Sequence, residues 1–288
     1  VELESMPRER AQRTKLLFFA GVSAVFLAVM IGCNFLRFPI RADELHFWPT
    51  SVGLFRNGFP SVEQLRTYNE LSTPLPFLIF GGLEYTFHFG IVAGRMINLA
   101  GSFAIVLLIG AASDFSFRSI LSVLGLLMFP YFLLVGTHLY TDALAVMFTV
   151  AAIGLYLQKW HWTAAFCFVM GIACRQYIVA FPLALTAHSL ICQLRTRRVT
   201  INAKVIPVAM AALSLAGWYL FFGAAAPQPA LQAQEVRVGQ LYPEHGLYFL
   251  TCIGAYFVLP ECVLFRAAER LLRPGLSAIG IAAVVSVL

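Results

Sequence analysis

The chain has 288 residues, of which 60% are apolar and 12% charged, with a formal net charge of +6 and a mean hydropathy of +0.80. A soluble domain carries roughly 45–50% apolar and about 25% charged residues, so the composition excludes an ordinary water-soluble fold and points to an all-α polytopic membrane protein. The positive balance does not mark a nucleic-acid binder, because the cations fall in short clusters between apolar runs and form no stripe.

Val1 to Lys15 is polar and basic and reads as a cytoplasmic N-terminal segment. Leu16 to Leu36 follows without a charge, long enough at about 1.5 Å per residue to cross a bilayer core of roughly 30 Å. It is too long for a signal-peptide core and reads as a retained helix. Arg8, Arg10, Arg13 and Lys15 place its start in the cytoplasm. Arg37 to Thr73 is then a long external loop, with the cluster Asp43-Glu44-Leu45-His46-Phe47-Trp48 and turn signals at Asn57-Gly58 and Phe59-Pro60.

The run Pro74–Gly90 carries Glu84 and His88. A span here would put every later basic cluster outside, so it reads as an interfacial helix on the outer leaflet. Further helices are expected near Met96–Ser113, Ser119–Thr137, Ala143–Leu157, Thr163–Cys174, Tyr177–Leu194, Val205–Phe222 and Leu247–Leu264, with a final run from Gly275. Residues 16–288 thus read as a single transmembrane catalytic domain of about eight to nine spans. In this topology most of the 20 Lys and Arg lie inside. The six cysteines sit in apolar segments without metal-ligand spacing and read as small buried hydrophobes.

One helix pair is odd. Thr163–Cys174 is well short of the bilayer, and Arg175-Gln176 follows it directly. An arginine at depth costs about 2.5–3.5 kcal/mol or more and calls for an anion or a wet cavity. Two readings stand: a structural pair with Asp142, which lies at the external end of its own helix hairpin, or a guanidinium facing a phosphate.

Several short motifs occur in a set order. They are Asp43-Glu44 with His46, Ser72-Thr73-Pro74-Leu75-Pro76, Arg95-Met96-Ile97-Asn98, Tyr140-Thr141-Asp142 and Arg175-Gln176. The set resembles the GT-C superfamily of lipid-phosphate-sugar-dependent glycosyltransferases. Within it the chain is most similar to the dolichyl-phosphate-glucose α-1,2-glucosyltransferases that add the terminal glucose of the lipid-linked oligosaccharide. The likeness runs from about Asn34 to Leu190 and more thinly through His245 to Pro260. It implies a GT-C-type helical bundle of about seven core helices, whose large first extracytoplasmic loop carries interfacial helices and the catalytic acid. It further implies a polyprenyl- or dolichyl-phosphate sugar donor, an inverting transfer and a lipid-linked or glycan acceptor.

Two departures stand out. The family's third and fourth positions after Arg-Gln are here Tyr177-Ile178, and the family pattern continues beyond the apolar run in which Leu288 falls. The resemblance therefore implies a chain cut short at its C-terminus. A prokaryotic homologue in a bacterial inner membrane and a eukaryotic enzyme of the endoplasmic reticulum both fit.

Such a transfer assigns roles. A carboxylate must take the proton of the attacking acceptor hydroxyl, and Asp43 or Glu44 fits. The resemblance places the catalytic aspartate first, and the shorter side chain loses less rotamer freedom. Cations must meet the leaving phosphate, for which Arg175, Arg95, Arg237 and His245 are the external candidates. His46, Trp48, Gln176 and Asp142 are acceptor or sugar contacts, although Phe47 and Trp48 also read as interfacial anchors. No cofactor is expected; a divalent ion near Asp43, Glu44 and His46 is the alternative. No G-x-G-x-x-G and no Walker lysine motif occurs, which favours a lipid-linked donor over a nucleotide sugar. The partners are then that donor, its acceptor and membrane lipids, with no nucleic acid. A transporter or lipid flippase is the rival class, and a truncated inactive homologue a third reading.

Overall fold

The computed structural model describes residues 8–112, 117–195 and 204–233, together with Leu247 and Thr251. The chain divides into two units, Val1–Val236 and Arg237–Leu288. In the second, the Thr251 hydroxyl donates to the Leu247 carbonyl at 2.8 Å; apart from these two residues, the expected helix near Leu247–Leu264 and the run from Gly275 lie outside the described residues.

The described residues of the first unit form helices joined by turns and loops, without strands. Helix α1 (Arg8–Gly32) leads, through a short turn at Asn34–Leu36, to three short helices in the first loop. These are α2 (Glu44–Leu54), α3 (Val62–Thr67) and α4 (Leu75–Phe87). Then come α5 (Ile91–Ala112), α6 (Phe117–Met128), α7 (Pro130–Thr137), α8 (Thr141–Leu157), α9 (His161–Cys174), α10 (Ala180–Arg195), α11 (Val205–Phe222) and α12 (Gln228–Ala233).

Local chemistry sets these boundaries. Ser61 accepts from the Gln64 amide while Gln64 Oε1 accepts from the Ser61 amide, a capping box that starts α3. Pro76 stands in the first turn of α4, where a missing N–H costs nothing, and His88 ends that helix in a left-handed conformation. Pro130 cannot continue a helix begun at Phe117, so the span expected over Ser119–Thr137 is two helices.

Among the described residues, four helices are long and apolar enough to cross a membrane: Gln12–Gly32, Ile91–Ala111, Gln176–Leu194 and Val205–Phe222. The pair Pro130–Thr137 and Thr141–Leu157, bent by 109°, makes at most a fifth. The chain is therefore an α-helical protein with membrane-spanning potential. Eight or nine spans are not reached among the described residues, because α8 and α9 are short and α6–α7 is broken. Helix α4 has 13 residues, about 20 Å, short of a bilayer core.

Two cores hold the unit. Phe18, Val22 and Phe26 of α1 pack with Leu99 and Val106 of α5 and with Val123 and Leu127 of α6. The larger core joins the loop helices to the bundle: Phe47 and Leu54 of α2 and Phe77 and Phe80 of α4 meet Leu139, Leu144, Phe168 and Ile172. Helices α2 and α4 touch backbone to backbone, since a Cβ on Gly81 would collide with the Ser51 carbonyl. The loop between α1 and α5 is thus a packed layer on the bundle.

Candidate functional site

Asp43 and Glu44 are adjacent, yet the fold sends them to opposite environments. Ala42 takes a left-handed conformation, φ 49°, a choice that costs a non-glycine residue about 1–2 kcal/mol. Around it Glu44 N donates to the Arg41 carbonyl at 3.2 Å and Arg41 N to Glu44 Oε2 at 3.4 Å. The turn delivers Glu44 into the interior as the first residue of α2 and leaves Asp43 outside. Asp43 precedes α2 but makes no capping bond with its side chain. Its carboxylate has no hydrogen-bond or ion-pair partner among the described residues.

Glu44 is fully buried against Arg95, itself fully buried. Arg95 Nε donates to Oε1 at 2.8 Å and Nη2 to Oε2 at 2.6 Å, and the Leu139 amide adds a bond to Oε1 at 2.7 Å. Burial pushes the Glu44 carboxyl upward, but the Arg95 side chain and the Leu139 and Arg41 amides outweigh it and hold the group below the usual carboxylate value. Arg95 Nη1 also donates to the Leu36 carbonyl at 2.7 Å and the Phe38 carbonyl at 2.8 Å, and its guanidinium lies 3.9 Å from the Phe38 ring centroid. Asn34, Phe35 and Leu36 all have positive φ, so Arg95 clamps a strained left-handed turn. The expectation that Arg95 faces a phosphate from an external loop is corrected here. Its helix begins at Ile91 and not near Met96, which carries Arg95 inside the protein. Glu44 is likewise no free carboxylate.

A cavity of about 430 Å³ opens where α2, the segment 69–72 and Arg175 meet. Asp43, His46, Asn69, Glu70, Ser72 and Arg175 give it its polar wall, with Phe47 at its apolar side. Arg175 follows the last residue of α9 in an extended conformation. Its Nη2 donates to Asp142 Oδ2 at 2.7 Å and its Nη1 to Ser72 Oγ at 2.9 Å, while the buried Nε has no partner among the described residues. Tyr177 donates to Asp142 Oδ1 at 2.7 Å. The α8–α9 hairpin explains the meeting, because it returns the chain to the end where α8 began.

Glu70 is the residue the sequence reading missed. It is buried at 6% exposure. Burial pushes its carboxyl above the usual carboxylate value, with Asp43 adding to the rise and His46 and Arg175 opposing it. The signal available was a carboxylate in a loop already marked as functional, two residues before Ser72-Thr73-Pro74.

The structure therefore brings Asp43, His46 and Arg175 to one cavity, with Asp142 behind Arg175. Gln176 does not line it; its Nε2 donates to the Leu71 carbonyl at 2.6 Å and fixes the wall. Trp48 is half-buried against the core. Arg237 and His245 lie outside the described residues. Because Arg95 occupies Glu44, the set Asp43, Glu44 and His46 does not converge, and no group of three His, Cys, Asp or Glu among the described residues is placed to hold a metal.

Comparisons with protein families, curated proteins and solved structures find nothing that matches this chain.

Proposed function

We propose that this chain is an integral-membrane inverting glycosyltransferase of the GT-C type that moves a hexose from a polyprenyl- or dolichyl-phosphate donor to a glycan or lipid-linked acceptor on the non-cytoplasmic face. The observation that carries the reading is the pairing, across one cavity, of an unpartnered carboxylate, Asp43, with a partly exposed guanidinium, Arg175. Inverting transfer needs that polarity. The acceptor oxygen attacks the anomeric carbon as Asp43 takes its proton, and the bond to the phosphate oxygen breaks. The leaving lipid phosphate monoester gains charge beside Arg175, whose planar fork suits phosphate oxygens. Ser72 and Asp142 hold the guanidinium in place for that task. Glu44, bound to Arg95, positions the turn that presents Asp43.

The test is a transfer assay with radiolabelled polyprenyl-phosphate hexoses in membranes carrying the protein. Asp43→Asn keeps size but cannot accept a proton, and loss of a general base costs about 10²–10⁴-fold in rate. Transfer that survives Asp43→Asn sinks the assignment. The bend of 109° between α7 and α8 is the one observation favouring the rival class, since transporters use broken helices at their sites. Passage of the labelled lipid across the bilayer without transfer to any acceptor would decide for it.

A further inference from the structure

The segment between α3 and α4 is tied down on both sides of Glu70. Tyr68 packs its ring against Phe77 and Phe222, at 5.7 and 6.2 Å between centroids, and donates its hydroxyl to the Ser72 carbonyl. The Leu71 carbonyl accepts from Gln176 Nε2, Ser72 Oγ accepts from Arg175, and the Thr73 hydroxyl donates to the Ile172 carbonyl at 2.7 Å. Glu70 takes no part in this anchoring. It is more than nine-tenths buried and lines the cavity. Its carboxyl has no hydrogen-bond or ion-pair partner among the described residues. Burying an acid without a partner is unfavourable, and here a rigid segment holds one at the edge of an open space. Such a group in a cavity is a candidate for contact with a ligand.

The charges around Glu70 decide the form in which it acts. Asp43 and His46 act on it from the start of α2, and Arg175 from the end of α9. Tyr68, on its own segment, is turned to Ser72, and α12 brings only Ala233, which does not titrate. Arg175 is already matched by Asp142. With Asp43 and Glu70 both ionised, three acids stand on or behind this wall against one guanidinium. His46 adds a positive charge only when protonated. A phosphate entering here meets like charge unless one acid is neutral. The buried, unpartnered acid is the one that loses its charge most readily, and burial and Asp43 both push Glu70 that way. As a neutral acid it becomes a donor, a second one beside the Arg175 guanidinium.

We propose that Glu70 is a ligand-binding residue of this cavity, donating a hydrogen bond to a phosphate oxygen and so coupling phosphate binding to proton uptake. The choice of phosphate rests on the transferase reading; the unpartnered carboxyl does not.

The experiment reads affinity against pH. The whole protein in lipid nanodiscs is titrated with radiolabelled farnesyl phosphate and, separately, with inorganic phosphate, and binding to empty nanodiscs is subtracted. Wild type is compared with Glu70→Gln at each pH, because the ligand's own ionisation is common to both and cancels in the ratio of affinities. Gln is neutral throughout and keeps an N–H donor. The two should bind alike near about pH 5, and near about pH 8 the variant should bind about tenfold more tightly, since one linked proton changes affinity by up to about tenfold per pH unit. Glu70→Ala, with no donor, should bind about tenfold more weakly than Glu70→Gln at either pH. Melting curves show that both variants fold.

A ratio that does not move with pH, or weaker binding by Glu70→Gln throughout, overturns the proposal and leaves the phosphate reading standing. Absence of phosphate binding in wild type and variants alike removes that reading and the proposal with it. Farnesyl phosphate bound far more tightly than inorganic phosphate makes the ligand a lipid headgroup. Equal affinity keeps the Glu70 coupling and removes the lipid donor. Farnesylamine bound more tightly than farnesyl phosphate near about pH 5 makes this a cation site and overturns the proposal.

Discussion

The substitution Glu44→Gln separates a buried structural pair from a catalytic carboxylate. It keeps the side-chain volume but removes the charge, leaving the fully buried Arg95 guanidinium with carbonyl partners and an amide in place of its counter-ion. Two charge-assisted bonds, at 2.8 and 2.6 Å, are lost or weakened, each worth about 1.5–3 kcal/mol. Breaking one side of a buried pair costs about 3–5 kcal/mol. The two figures overlap at about 3–5 kcal/mol, which for a large domain lowers Tm by roughly 6–20 °C. Thermal unfolding in detergent, followed by circular dichroism, measures it. The double variant Glu44→Leu with Arg95→Met should cost about 2 kcal/mol less than the sum of the single variants Glu44→Leu and Arg95→Met, because no lone charge is left inside. The pH dependence has a sign. The Glu44 carboxyl is held below its ordinary 4.5, so its contribution is present above that pH and is lost as pH falls through the folded value. The gap between wild type and Glu44→Gln therefore narrows below pH 4.5. A Glu44→Gln protein as stable as wild type but inactive in transfer would refute the reasoning and make Glu44 the base.

Arg175→Lys keeps the charge but loses the fork that spans Asp142 and Ser72; it should raise the KM for the lipid-phosphate sugar by about tenfold or more, and full activity in Arg175→Lys combined with failed expression of Asp142→Asn would favour a purely structural pair. Glu70→Gln should melt higher than wild type at pH 7, because a carboxyl whose folded value is raised stabilises the fold below its ordinary value and loses that contribution as pH rises through the folded value; the difference should vanish near pH 4. A single cysteine at Asn69 should react with an impermeant thiol reagent from outside, and one at Lys159, at the other end of α8, only after permeabilisation; labelling of both from one side sinks the topology.

Much of this was legible from the chain, and the parts that were not share a cause. Apolar runs located most of the helices, because span length is a one-dimensional quantity. The short run before Arg175 marked α9 for the same reason. The division of labour within Asp43-Glu44 was hidden, since it depends on the left-handed turn at Ala42 and on a partner 51 residues further along the chain. Arg95 was misplaced by a helix start set near Met96, when α5 begins at Ile91. Moved inside the helix, the residue changes from an external cation to an interior one. Glu70 was overlooked because only tertiary packing of the loop helices puts it beside Asp43 and Arg175.

The same geometry explains how a loop and a helix hairpin distant in sequence can act as one site. Arg95 and Asn98 lie one turn apart on α5 and face the same way. Arg95 gathers the carbonyls of Leu36 and Phe38 and the Glu44 carboxylate. Asn98 Nδ2 donates to the carbonyls of His138 and Tyr140, both at 2.8 Å. Glu44 closes the circuit by accepting from the Leu139 amide that lies between them. One polar face of α5 thus joins the turn that presents Asp43 to the α7–α8 bend that presents Asp142, and through Asp142 to Arg175. Each bond in that circuit is largely sheltered from water, where an unmade bond costs about 1–3 kcal/mol, so the turn and the bend are held in one register. The proposed base and phosphate-binding cation would have to stay a substrate's width apart, and buried groups supply such a shared frame while Asp43 and Arg175 line the cavity.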